Sequence, residues 1–149
     1  MRILREAAKF LRATRRKLRI GEFSREPLQL LRLEWKGDKV ECDWLMRARD
    51  PWDKAVPEHL AREHQTMQAL RDALALRKVI FQSFPAVMDA ELRMYRMDCE
   101  GELELMMAGS VARNDGEFER VASVAMRARL CGFRFHLDAG VLEGSSRSC

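Results

Sequence analysis

The chain has 149 residues, of which 47% are apolar and 34% charged. That suffices for one core burying roughly 70% of the unfolded chain's surface, and it excludes a collagenous, low-complexity or wholly disordered chain. The net charge of +4 is uneven: residues 1–25 hold nine Lys and Arg against Glu6 and Glu22, whereas the other 124 residues hold eighteen against twenty-one acids, or +7 and −3. A basic arm on a slightly acidic body points to an anionic partner.

The periodicity predicts an amphipathic helix from Ile3 to about Ile20. Leu4, Ala7, Ala8, Leu11 and Leu18 share one face, and Arg2, Arg5, Lys9, Arg12, Arg16 and Arg19 recur at steps of three and four on the other. Gly21 is placed to end it. An isolated helix of this length is marginal in water, so the expectation is that its leucines dock on the body with the arginines outward. On that reading Leu11→Asp destabilises the whole domain. The receiving surface is expected on the outer sheet face, at Leu30, Leu45, Tyr95, Met97 and Met106.

A two-residue turn at Gly37 and Asp38 makes a hairpin. It sets Trp35 against Val40, Leu33 against Cys42 and Leu31 against Trp44, all on one face. On the other face Arg32 opposes Asp43 and Glu34 opposes Glu41. A slip of one residue would destroy the apolar face. Pro57 then opens a long helix to about Phe84, with Leu60, Met67, Leu70, Leu74, Phe81 and Phe84 as its inner stripe. Trp52, in the loop before it, reads as a plug over the core edge.

A second hairpin turns at Glu100 and Gly101. It pairs Met94 with Met107, Leu92 with Gly109 and Ala90 with Val111 on one face, and Tyr95 with Met106 and Glu91 with Ser110 on the other. Asn114 and Glu117 form a capping box for a helix from about Asp115 to Cys131, ended by Gly132. Phe133 to Leu137 alternates as a last strand. From Gly140 the residues are small and polar and read as a frayed tail.

The expected fold is therefore α+β in a single domain: an N-terminal amphipathic helix, then an antiparallel sheet of about five strands packed with two helices, in the order α-ββ-α-ββ-α-β. A ferredoxin-like variant is one topology with these connections. The expected divisions are a basic arm at 1–21, a body at 22–139 and a flexible tail at 140–149.

Chemistry-bearing groups are sparse. His59 and Glu63 are four apart and could share a ligand, but a zinc site needs a third, and the solvated reading is favoured. Cys131 and His136 could approach across Gly132 as a thiol–imidazole pair, yet they belong to a helix end and the polar side of a strand. The ladder Asp98, Glu100, Glu102 and Glu104 surrounds a hairpin turn, where charges usually solvate the tip. The four cysteines form no Cys-x-x-Cys pair, and no secretory leader precedes them, so reduced thiols in a cytoplasmic protein are expected. No catalytic residue, metal site or cofactor is assigned, and no enzyme is favoured. The first functional expectation is a non-enzymatic interaction or regulatory protein that presents Arg2, Arg5, Lys9, Arg12, Arg16 and Arg19 to an anionic partner, protein or nucleic acid. An electrostatic nucleic-acid binder is the alternative, and a small enzyme with an unrecognised site comes third.

Overall fold

Apolar and charged residues alternate on both sides of Gly37, and this pattern builds the first hairpin, β1 (Gln29–Lys36) and β2 (Lys39–Leu45). The computed structural model describes residues 2–17, 27–48, 55–113 and 117–144, with the backbone alone for 2–4, 13–17 and 117. Trp35 faces Val40, Leu33 faces Cys42, Arg32 faces Asp43 and Glu34 faces Glu41, as the alternation requires. Beyond Arg32 a bulge intervenes. Leu30, not Leu31, stands opposite Trp44, and Leu31 is left 38% exposed. The extra residue of a bulge breaks the two-residue period that sequence alternation assumes.

Helix α2 (Glu58–Ser83) follows, with Pro57 as its N-cap residue. At roughly 1.5 Å per residue it runs about 39 Å, enough to return the chain to the starting end of the sheet. Its successor β3 (Asp89–Met97) therefore lies parallel to β2, and β4 (Leu103–Ala112) folds back antiparallel. After α3 (Val124–Cys131), β5 (Phe133–Arg134) adds to β4. The sheet has the order β1-β2-β3-β4-β5 and is mixed, not wholly antiparallel. In the ferredoxin-like variant β2 would sit beside β4, whereas here β1 and β3 occupy both of its edges.

Val40, Cys42, Trp44, Ala90, Leu92 and Met94 point to one face and are fully buried. Met94 opposes Met107, Leu92 opposes Gly109 and Ala90 opposes Val111, as expected. A second bulge after Met94 sets Tyr95 against Leu105 instead of Met106, so Met106 and Met107 are both buried.

Helix α2 is covered on more sides than one stripe. It packs on the sheet, on α1 (Arg2–Lys17) and on α3. Leu60, expected inside, is 41% exposed, while Ala69, Ala73, Leu76, Val79 and Ile80 form the buried surface with Leu70. Polar residues follow them inside: Arg47 and Asp72, 4% and 2% exposed, pair at 2.9 Å, and Gln68 donates to Asp72 at 2.8 Å. At the C-terminal end the guanidinium of Arg113 donates to the carbonyls of Phe81, Phe84 and Val87. A residue distant in sequence thus satisfies helix-end acceptors that a local basic residue often serves.

Helix α3 is shorter than expected. Glu117–Arg120 forms a separate 3-10 turn, and Ser123 caps α3 by accepting from the Met126 N–H at 3.2 Å. Phe118 in that turn is held by the Arg77 guanidinium 4.9 Å above its ring, a tertiary contact that competes with continuation of the helix. Asn114 lies outside the described residues. Gly132 does end α3, at φ 116°, where a Cβ would collide with the Ser110 carbonyl.

The expected last strand is two pieces. β5 stops at Arg134, the Phe135 ring lies under Arg129, and His136–Asp138 becomes β6, paired with β7 (Val141–Glu143). Gly140 to Gly144 are therefore structured rather than part of a frayed tail. Leu142 is 3% exposed and its N–H donates to the Thr66 hydroxyl of α2 at 2.8 Å.

The docked N-terminal helix uses a different residue and a different surface from those expected. Phe10 is fully buried with its ring 5.6 Å from Phe84, whereas Leu11 is 41% exposed. Helix α1 lies on α2, not on the outer sheet face. That outer face is charged. Arg32 pairs with Glu34, Glu41 and Asp43; Lys36 with Glu34 and Glu41; Arg93 with Glu41 and Asp43; Lys39 with Glu91. Desolvation raises the Glu41 carboxyl, but Arg32 and Lys36 outweigh it and hold the group below its usual range. Leu30 and Met106, assigned to this face, turn toward the core. Gly21 and the end of the arm lie outside the described residues.

Candidate functional site

Among the described residues, two regions besides the paired outer sheet face gather charge in an accessible geometry. The first is the outer side of α1. Arg5, Lys9 and Arg12 are all exposed. Steps of four and three keep them on one face, spread over about 10 Å of helix axis. Burial of Phe10 orients this face, because the helix cannot rotate without withdrawing an aromatic ring from the core. Arg2 and Arg16 fall within α1, but their side chains lie outside the described residues, as does all of Arg19.

The second region is a cavity of about 750 Å³ between the first turns of α2, the end of β3 and the β6–β7 hairpin. Met46, Thr66 and Leu142 form its buried floor, and Arg62, Arg96, His59 and Glu143 stand on its walls. The sequence carries no signal for it, because it depends on the β6–β7 hairpin, whose residues alternate like a strand end and a polar tail. Its charged walls are internally paired. Arg62 binds Glu58 at 3.1 Å, His59 binds Glu63 at 2.9 Å, and Arg96 binds the buried Glu104 carboxylate at 2.9 Å. Gly144 passes against Glu104, where a Cβ would collide with the carboxylate.

This pairing decides what the cavity can do. Both arginines already hold carboxylates, so neither presents an open anion seat. His59 and Glu63 are joined directly, with side chains 62% and 41% exposed, so each already occupies the other at the cavity rim. Among the described residues no group of three His, Cys, Asp or Glu is arranged to hold a metal ion.

The remaining sequence candidates do not converge. Cys131 is buried, while the His136 side chain is 75% exposed and pairs with Glu143 at 3.3 Å. In the acidic ladder, Asp98 accepts from the backbone N–H groups of Glu100 and Glu102, fixing the β3–β4 turn. Glu104 is instead drawn inside by Arg96. Trp52 lies outside the described residues. Cys42 is a free thiol, but Cys99 is disulfide-bonded, so the expectation of reduced thiols fails at that residue.

No protein-family model, curated protein or solved structure matches this chain. No described helix is long and apolar enough to cross a membrane.

Proposed function

We propose that this protein is a non-enzymatic interaction or regulatory module that presents its N-terminal helix to an anionic partner. One observation carries the reading: α1 is anchored by the buried Phe10 while Arg5, Lys9 and Arg12 stay exposed on one face. A pre-ordered cationic ridge loses less conformational entropy on binding than a free arm. An acidic protein surface suits it better than nucleic acid, because the chain beyond residue 25 carries three more acids than bases and would repel a phosphate backbone. The cytoplasm belongs to the same reading, supported by the free thiol of Cys42 and opposed by the disulfide at Cys99.

The test is binding of the full chain to a labelled polyglutamate peptide and, separately, to a duplex oligonucleotide, each across a salt series. Arg5→Glu, Lys9→Glu and Arg12→Glu combined should abolish peptide binding and leave the melting temperature near that of the parent. Equal peptide affinity in parent and triple variant refutes the reading. Tighter binding to the duplex, with affinity falling about 0.9 log unit per log unit of salt for each phosphate contacted, selects the nucleic-acid alternative.

A further inference from the structure

Strand β1 is the open margin of the five-stranded sheet: β2 lies on one side and, among the described residues, no strand on the other. It is eight residues long, whereas the opposite margin, β5, has two. Its inward side chains Leu30, Leu33 and Trp35 pack against the core yet are only partly buried, and Leu31 stands out at the bulge. A long edge with an incompletely covered apolar face is a template for another strand.

We propose that β1 pairs antiparallel with β1 of a second copy of this chain, about a two-fold axis normal to the sheet at Leu33. The charge order selects this occupant and this register. Such an axis keeps each face of the sheet continuous, so facing residues share a face and the axis must pass through a residue. At Arg32 it would set that guanidinium against its own copy. At Glu34 it would set the carboxylate against itself and Arg32 against Lys36. At Trp35 only residues 34–36 of the strand would be paired, because the turn at Gly37 and Asp38 follows. At Leu33 residues 31–35 are paired, up to the bulge beyond Arg32; Leu33 meets Leu33, and Arg32 meets Glu34 of the second copy twice. Arg32 and Glu34 pair with each other along their own strand, and at 39% and 41% side-chain exposure they exchange that pair for the same pair across the edge. The proposal is independent of the anionic-partner reading, since it uses no residue of α1.

Sedimentation equilibrium of the full chain at high micromolar concentration should give twice the chain mass of 17.3 kDa. Glu34→Arg places like charges opposite each other twice and should weaken the dimer by roughly tenfold or more. Exchanging both residues, Arg32→Glu with Glu34→Arg, restores the complement in this register and should recover the dimer. Circular dichroism establishes that both variants fold. A parent that stays at 17.3 kDa leaves β1 bare or to another occupant and overturns the proposal. So does a Glu34→Arg dimer as tight as the parent's, or an exchange that fails to restore it.

Discussion

Replacing Phe10 by Ala tests whether the N-terminal helix belongs to the fold. The ring is fully buried and contacts Phe84, which in turn lies 5.6 Å from Trp35 of β1. Truncating a buried phenylalanine typically costs about 3–5 kcal/mol, from lost transfer energy and the cavity left behind. That sum exceeds what a single exposed helix can hold by itself, since α1 is only sixteen residues and marginal in isolation. The cost therefore has two limits. If α1 stays docked, the whole domain should lose roughly 10 °C of melting temperature. If it detaches, the loss stops at the docking energy and helical ellipticity falls before the main transition. Thermal melts followed at 222 nm separate these limits. Leu11→Asp, one residue along and 41% exposed, should change stability by no more than about 0.5 kcal/mol. A Phe10→Ala protein that melts within a degree or two of the parent, with unchanged ellipticity, would refute the anchoring argument.

Asp72 gives a pH signature. Burial pushes its carboxyl from 3.8 up to about 6, against the pull of Arg47 and Gln68. The folded state then holds a proton that the unfolded chain has released, so this group's contribution is full below pH 3.8 and is lost as pH rises to about 6, by at most about 3 kcal/mol. Asp72→Asn should flatten the urea-derived stability curve across that window, and parallel curves for parent and variant would contradict it. Cys42 is fully buried, and burial pushes its thiol up to about 12. Its alkylation by iodoacetamide at pH 8 should be about a thousandfold slower in the native protein than in urea; comparable rates would show that β2 opens readily.

Near each hairpin turn the sequence was legible because two independent signals agreed. Gly37 and Gly101 both take positive φ, and apolar alternation on either side admits one register only. Farther out the bulges at Leu31 and after Met94 shift the pairing, and alternation carries no marker for an inserted residue. The position of α3 was misread because Asn114 and Glu117 imitate a cap, while the cap in use, Ser123, has no acidic partner three residues on. The α1 anchor was overlooked for a related reason. Phe10 lies between the leucine stripe and the arginine ridge, and only the position of Phe84 reveals which way the helix is turned. In the cavity, Glu104 looked like one member of a solvated ladder. The long-range approach of Gly144 and the ion pair to Arg96 give it a buried environment.

The treatment of charge separates body from arm. On the outer sheet face Arg32, Lys36, Lys39 and Arg93 meet Glu34, Glu41, Asp43 and Glu91, four cations against four carboxylates. Inside, Arg47 meets Asp72, and at the cavity wall Arg96 meets Glu104. Each arrangement closes on itself and has little field left for a distant ligand. The first 25 residues cannot close in this way, because nine cations have only Glu6 and Glu22 among them. Unbalanced charge of that kind disfavours a compact state through self-repulsion, yet α1 is held against α2 by an aromatic anchor. Raising the salt concentration should therefore stabilise α1 docking by screening that repulsion, while weakening capture of an anionic partner. Opposite salt responses of helicity and binding, measured on one sample, would be the mark of a cationic helix held ready for a counter-charge. If added salt left the helicity unchanged, or lowered it, arm repulsion would not be a cost the fold carries.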